Sequence, residues 1–171
     1  MEPERWHDFF VLVGTAGATL VALLFVAVSI GVGFLTDGRA AATRAFFSSV
    51  VVHFTAIFFI AAVGLVPTHW PAFFAGAIGA CALIGGGVSI FTTAELIRHR
   101  WTKYVQDHLA YGFLPTLCYA VLLVAAAMIY AEHHAAFDVL AGSLLLLMIV
   151  NIRNAWDLML SMVRNQAKRR R

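Results

Sequence analysis

The chain has 171 residues, 61% of them hydrophobic and 12% charged, with a formal net charge of +3. Its mean hydropathy is +0.84, which excludes a water-soluble globular domain. No linker, Pro-rich run or low-complexity tract divides it, so it reads as a single transmembrane domain over residues 1–171.

The amino terminus carries Glu2, Glu4, Arg5 and Asp8, an acidic lead rather than the basic one of a cleaved signal. The apolar run that follows, residues 9–35, is far longer than a signal-peptide core and is expected to be retained as the first membrane span. Within it Gly14, Ala18 and Ala22 recur every fourth residue, the small-residue spacing that lets two helix backbones approach closely. A second apolar run covers residues 45–66 and carries Ser48, Ser49 and, deeper, His53. The third, residues 72–97, repeats the small spacing at Ala72, Gly76 and Ala80, which points to spans one and three as central helices.

Span three also contains Gly85, Gly86 and Gly87 near mid-membrane, where each glycine weakens a helix by about 1 kcal/mol relative to alanine. The triplet reads either as a flat surface for a bulky neighbour or as a hinge whose freed carbonyls line a cavity. The fourth run, residues 109–130, holds Pro115, which removes a backbone bond near Tyr111 and predicts a kink. The fifth covers residues 137–162. A bilayer core needs roughly 20 apolar residues in a helix, and unpaired strand edges have no place in it. The alternating pattern of a membrane barrel is absent. The fold class is therefore all-α: a polytopic bundle of five transmembrane helices.

Basic residues set its orientation. Arg39 and Arg44 lie in the first loop, Arg98, Arg100 and Lys103 in the third, and Arg164 with Lys168–Arg171 at the carboxyl end; the second and fourth loops carry none. The amino terminus is thus expected outside and the carboxyl terminus in the cytoplasm, in a bacterial cytoplasmic membrane. The basic tail is expected to attract anionic lipid rather than nucleic acid.

Polar residues collect in the cytoplasmic half: His53 on span two, Glu95 on span three, Asp107 and Tyr111 on span four, and Asn151, Arg153, Asn154 and Asp157 on span five. Ionisable groups at that depth usually face the bundle interior in pairs. Arg153 is expected to pair with Asp157 at i+4, or with Glu95 or Asp107. The cluster reads as an internal clasp or as a vestibule for an ion or small polar solute. Haem ligation through His53 lacks a second histidine at matching depth, and neither a zinc-type spacing nor any catalytic, phosphate-loop or dinucleotide motif is present. Cys81 and Cys118 lie inside spans and read as packing residues. No cofactor, metal or enzymatic activity is expected.

Three blocks carry a resemblance. They are Trp6-x-x-Phe9 with the following Gly-Thr-Ala-Gly-Ala-Thr-Leu and Leu24–Ser29; Asp107, Tyr111, Pro115 and Tyr119 at four-residue spacing; and the run Ile152 to Asp157. Together they look like a widespread family of small bacterial multi-span inner-membrane proteins. The family has no established activity, so the resemblance implies topology alone. Two functional expectations follow from the residues. One is a non-enzymatic accessory or assembly subunit that packs against other membrane proteins. The other is a small homo-oligomeric channel or transporter.

Overall fold

The computed structural model describes residues 3–31, 40–67, 71–99 and 109–169. A 3-10 turn, Pro3–Trp6, leads into α1 (His7–Gly31), followed by α2 (Ala40–Gly64) and α3 (Pro71–His99). A π-helical turn, Leu109–Phe113, then runs into α4 (Leu114–Tyr130), and α5 covers Ala136–Arg169. No strand occurs among the described residues.

The solvent that this fold suits is visible in what faces out. Leu12, Phe25, Ile84, Phe91 and Ile149 are each more than 60% exposed, whereas Ser49, His53, Ser89 and Asn151 are at most 2% exposed. Large apolar side chains all over the outside, with polar ones withdrawn into the interior, are not the surface of a soluble protein and fit hydrocarbon surroundings. Among the described residues, four segments are long and apolar enough to cross a membrane: His7–Ala27, Pro71–Glu95, Tyr111–Tyr130 and Ala136–Leu160. α2 contributes a shorter apolar stretch, Ser48–Gly64. These are the helices of a membrane protein.

Helices α2, α3, α4 and α5 form a closed ring, each packed on the next, with α5 returning to α2. α1 lies outside that ring against α2, touching α5 only slightly. Half of α5's membrane-length window is buried, against 28% of α1's and 33% of α3's. The expectation that span one is central is therefore overturned, while span three forms one side of the ring. Close approach of two backbones needs only one neighbour, and a helix can satisfy it from the periphery.

The small-residue stripe of α1 is also shifted. Its buried face runs Phe10, Val13, Gly14, Gly17 and Leu24, while Ala18 and Ala22 are exposed. A Cβ on Gly14 would come 3.2 Å from the Ala61 Cβ, and one on Gly17 within 3.4–3.5 Å of backbone atoms of Phe54 and Phe58. The α1–α2 contact thus rests on glycines three apart, not on Gly14 and Ala18. Gly17→Leu is expected to destabilise by about 1–3 kcal/mol, because backbone cannot yield as a flexible side chain can. Ala18→Leu is expected to change stability by less than about 0.5 kcal/mol. Denaturant titration of both variants in detergent checks the contrast.

One end of the bundle is closed by aromatic rings. Phe10 meets Phe74 and Phe137 edge-on, at centroid distances of 6.1 and 6.3 Å, and Trp6 stacks on Phe137 at 5.8 Å. Gly64 caps the Phe10 ring; a Cβ there would lie 2.9 Å from it. The interior next to this end is filled by Ile57, Ile60, Ile78, Leu122, Ile129 and Leu140, all fully buried. The opposite half is where the polar side chains are.

Candidate functional site

His53 projects from α2 into the ring and is 1% exposed. Its Nε2 pairs with the Ser49 hydroxyl one turn away at 2.9 Å, and its Nδ1 with the Tyr119 hydroxyl of α4 at 2.8 Å. A neutral imidazole has one donor and one acceptor nitrogen, and hydroxyls can play either part, so both ring nitrogens are satisfied. An apolar interior demands this, because an unpaired polar group there costs several kcal/mol.

The glycine triplet explains how Tyr119 reaches that position. α3 continues unbroken as a helix through Gly85, Gly86 and Gly87, so the triplet is not a point of unwinding. A Cβ on Gly85 would overlap the edge of the Tyr119 ring at Cζ and Cε1, and one on Gly86 would lie 3.3 Å from the Tyr119 Cβ. Gly87 faces open space. The first two glycines form a seat for a tyrosine, which can be aimed at His53 only because α3 is bare there.

Towards the polar end a second hydroxyl layer joins α3 to α4. Thr116 donates to the Gly112 carbonyl at 2.8 Å, and Ser89, with its single proton, donates either to Thr116 Oγ1 at 2.9 Å or to the same carbonyl at 3.3 Å. Where the kink near Pro115 is expected, a π-helical turn ends just before Leu114, and neighbouring hydroxyls serve a carbonyl within it. Gly112 lets the turn approach α3, since a Cβ would lie 2.6 Å from Thr93 Oγ1. On the α4–α5 side, Tyr111 donates to the Asn154 carbonyl at 2.8 Å and Ser143 to the Cys118 carbonyl at 2.9 Å. Asn151 donates through Nδ2 to the Leu147 carbonyl at 2.9 Å.

The eight residues of the expected vestibule therefore separate. His53, Tyr111, Asn151 and Asn154 are buried in the ring. Glu95 is half-buried on α3, and Asp107 lies outside the described residues. Arg153 and Asp157 pair on the outer face of α5 at 3.7 Å, with side chains 50% and 41% exposed. Their expected inward orientation is corrected: Asn151 and Asn154 hold the inner face, and Arg153 lies to its side. A long, exposed pair contributes little, so Arg153→Ala is expected to shift stability by less than about 1 kcal/mol in thermal unfolding.

Residue-by-residue reading had not placed Tyr119, Ser89 or Thr116 in the site. The available signal was a mid-span tyrosine four residues beyond Pro115, whose hydroxyl must find a partner once buried.

Family models, curated proteins and solved structures were compared with this chain. None matches it. The geometry must therefore speak for itself. Among the described residues no three His, Cys, Asp or Glu side chains converge as metal ligands. A metal bond from His53 would displace Ser49 or Tyr119.

One more surface bears on function. Ala72, Gly76 and Ala80 of α3 face outward, exposed, and a Cβ on Gly76 would meet nothing within 4 Å. Beside this stripe an apolar groove of about 400 Å³ opens between α2 and α3, lined by Val52, Phe59, Ala77, Ala80, Ile84 and Gly85 among others.

Proposed function

We propose that this protein is a non-enzymatic accessory or assembly subunit of a bacterial cytoplasmic membrane, which binds a transmembrane helix of another membrane protein along the outward face of α3. The observation that carries this reading is the exposed Ala72, Gly76 and Ala80 stripe beside the α2–α3 groove. In lipid, helices associate by close packing rather than by hydrophobic exclusion, and small residues permit the closest approach. α1 already demonstrates the principle, with Gly14 and Gly17 seated against α2. On α3 the equivalent surface has no neighbour among the described residues.

The reading includes five spans, with the amino terminus outside and the carboxyl terminus in the cytoplasm. It is supported by the 25-residue length of α2 and its place in the ring, and by the basic loops on alternate sides. Reporter fusions after residue 171 and within residues 131–135 should report opposite sides. The basic residues from Lys168 onward add attraction to anionic lipid.

Gly76→Leu and Ala80→Leu test the partner face. Both are expected to leave expression intact while a partner present with the wild-type chain after gentle extraction is lost in native mass spectrometry. Unchanged partner retention in both variants refutes the docking face. The second reading, a homo-oligomeric conduit for an ion or small solute, is favoured by the polar half of the ring. Against a path through a single chain stand the packed apolar interior and aromatic end. A uniform ring of identical chains in the same spectra would select the conduit.

A further inference from the structure

We infer that the polar half of the ring holds an internal water molecule seated on the side-chain carbonyl of Asn151. Asn151 is 0% exposed, and its Oδ1 has no hydrogen-bond partner among the described residues, although its Nδ2 is used. A bare buried carbonyl costs about 1–3 kcal/mol, and such groups are commonly served by enclosed water making two to four hydrogen bonds.

The position of Asn151 says what else such a molecule would meet. Ser143 of α5 crosses α4 at Cys118, and Asn154 crosses it at Tyr111. Asn151 therefore stands opposite the stretch of α4 that carries Gly112 and Thr116, the level at which Ser89 enters from α3. Their oxygens can accept the second proton of a molecule whose first goes to Asn151 Oδ1.

Charge decides the chemical class. The buried polar side chains among the described residues are Ser49, His53, Ser89, Thr92, Ser143, Asn151 and Asn154, with the hydroxyls of Tyr111 and Tyr119, and they include no carboxylate, ammonium or guanidinium. An ion would have no counter-charge there, so the fitting ligand is a small neutral hydrogen-bond donor. Water is the one that a membrane protein always has to hand.

The test is nuclear magnetic resonance on the full chain in nanodiscs, with asparagine side-chain amides labelled. The Asn151 amide is identified as the signal missing from Asn151→Thr. It is expected to show cross-relaxation with a long-lived water. A resolved Asn151 amide without any water cross-peak overturns the inference.

Asn151→Leu gives an independent readout. Leucine keeps the branching of asparagine at Cγ with bulkier methyl groups and removes the orphan acceptor, and the Leu147 carbonyl keeps its helical bond from the residue 151 amide. With water in place, leucine evicts it and strips its other partners, and a fall in melting temperature of roughly 4 °C or more is expected, overpacking adding to it. A melting temperature that holds or rises would mean that Oδ1 was bare and overturn the inference. Should Asn151→Leu fail to fold, the wild-type spectrum decides.

Discussion

Gly85→Ala is expected to destabilise the protein by about 2–6 kcal/mol, more than any other single added methyl group in the ring. The new Cβ overlaps the edge of the Tyr119 ring, and Tyr119 is itself fully buried. Overpacking of this kind costs about 1–3 kcal/mol. A displaced ring also breaks the hydrogen bond to His53, leaving a buried ring nitrogen unpaired at about 1–3 kcal/mol more. The neighbouring glycines grade the effect. Gly86→Ala meets the Tyr119 Cβ at 3.3 Å and should cost less. Gly87→Ala faces open space and is expected to stabilise the helix by up to about 1 kcal/mol. Unfolding by denaturant in detergent should rank the variants with Gly85→Ala lowest and Gly87→Ala at or above wild type. Equal effects at all three positions would mean that the triplet is not a tyrosine seat.

Tyr119→Ala is expected to cost about 3–5 kcal/mol, since it removes a fully buried aromatic side chain from between three helices. Tyr119→Phe keeps the ring and deletes only the hydroxyl, so it isolates the polar part, about 1–3 kcal/mol. The penalty belongs to His53, whose Nδ1 is left without a partner. In a His53→Leu background the same Tyr119→Phe change should therefore cost far less, and a double-mutant cycle should give a coupling energy above about 0.5 kcal/mol. Additive losses would show that the two side chains are neighbours without being partners.

Much of the fold could be read from the residues because lipid leaves a chain few choices. Apolar runs of sufficient length must be helices, and the segments around α1, α3, α4 and α5 follow from that alone. The burial of His53 was also readable, since an ionisable group deep in an apolar run has to turn inward.

Facing was not readable from spacing. Gly14 and Ala18 are equally small, and only the presence of α2 distinguishes the buried Gly14 and Gly17 from the exposed Ala18. Similarly, Asn151 and Arg153 are two residues apart on one helix, and their opposite fates depend on which face the ring covers. The purpose of the glycine triplet lay in another helix, at Tyr119. Its function as a seat rather than a hinge could emerge only once α3 and α4 were side by side.

The bond between α2 and α4 has a consequence for how the chain is made. His53 and Tyr119 are separated by 66 residues, and a ribosome adds roughly 5–20 residues each second. For about 3–13 s after His53 is synthesised, its eventual partner does not yet exist. Ser49, one turn earlier on the same helix, is already there and can occupy one ring nitrogen from the outset. The other must be served by water, lipid headgroups or the insertion machinery until α4 arrives. Biogenesis of this small protein thus includes an interval in which a polar side chain destined for the interior is held in waiting.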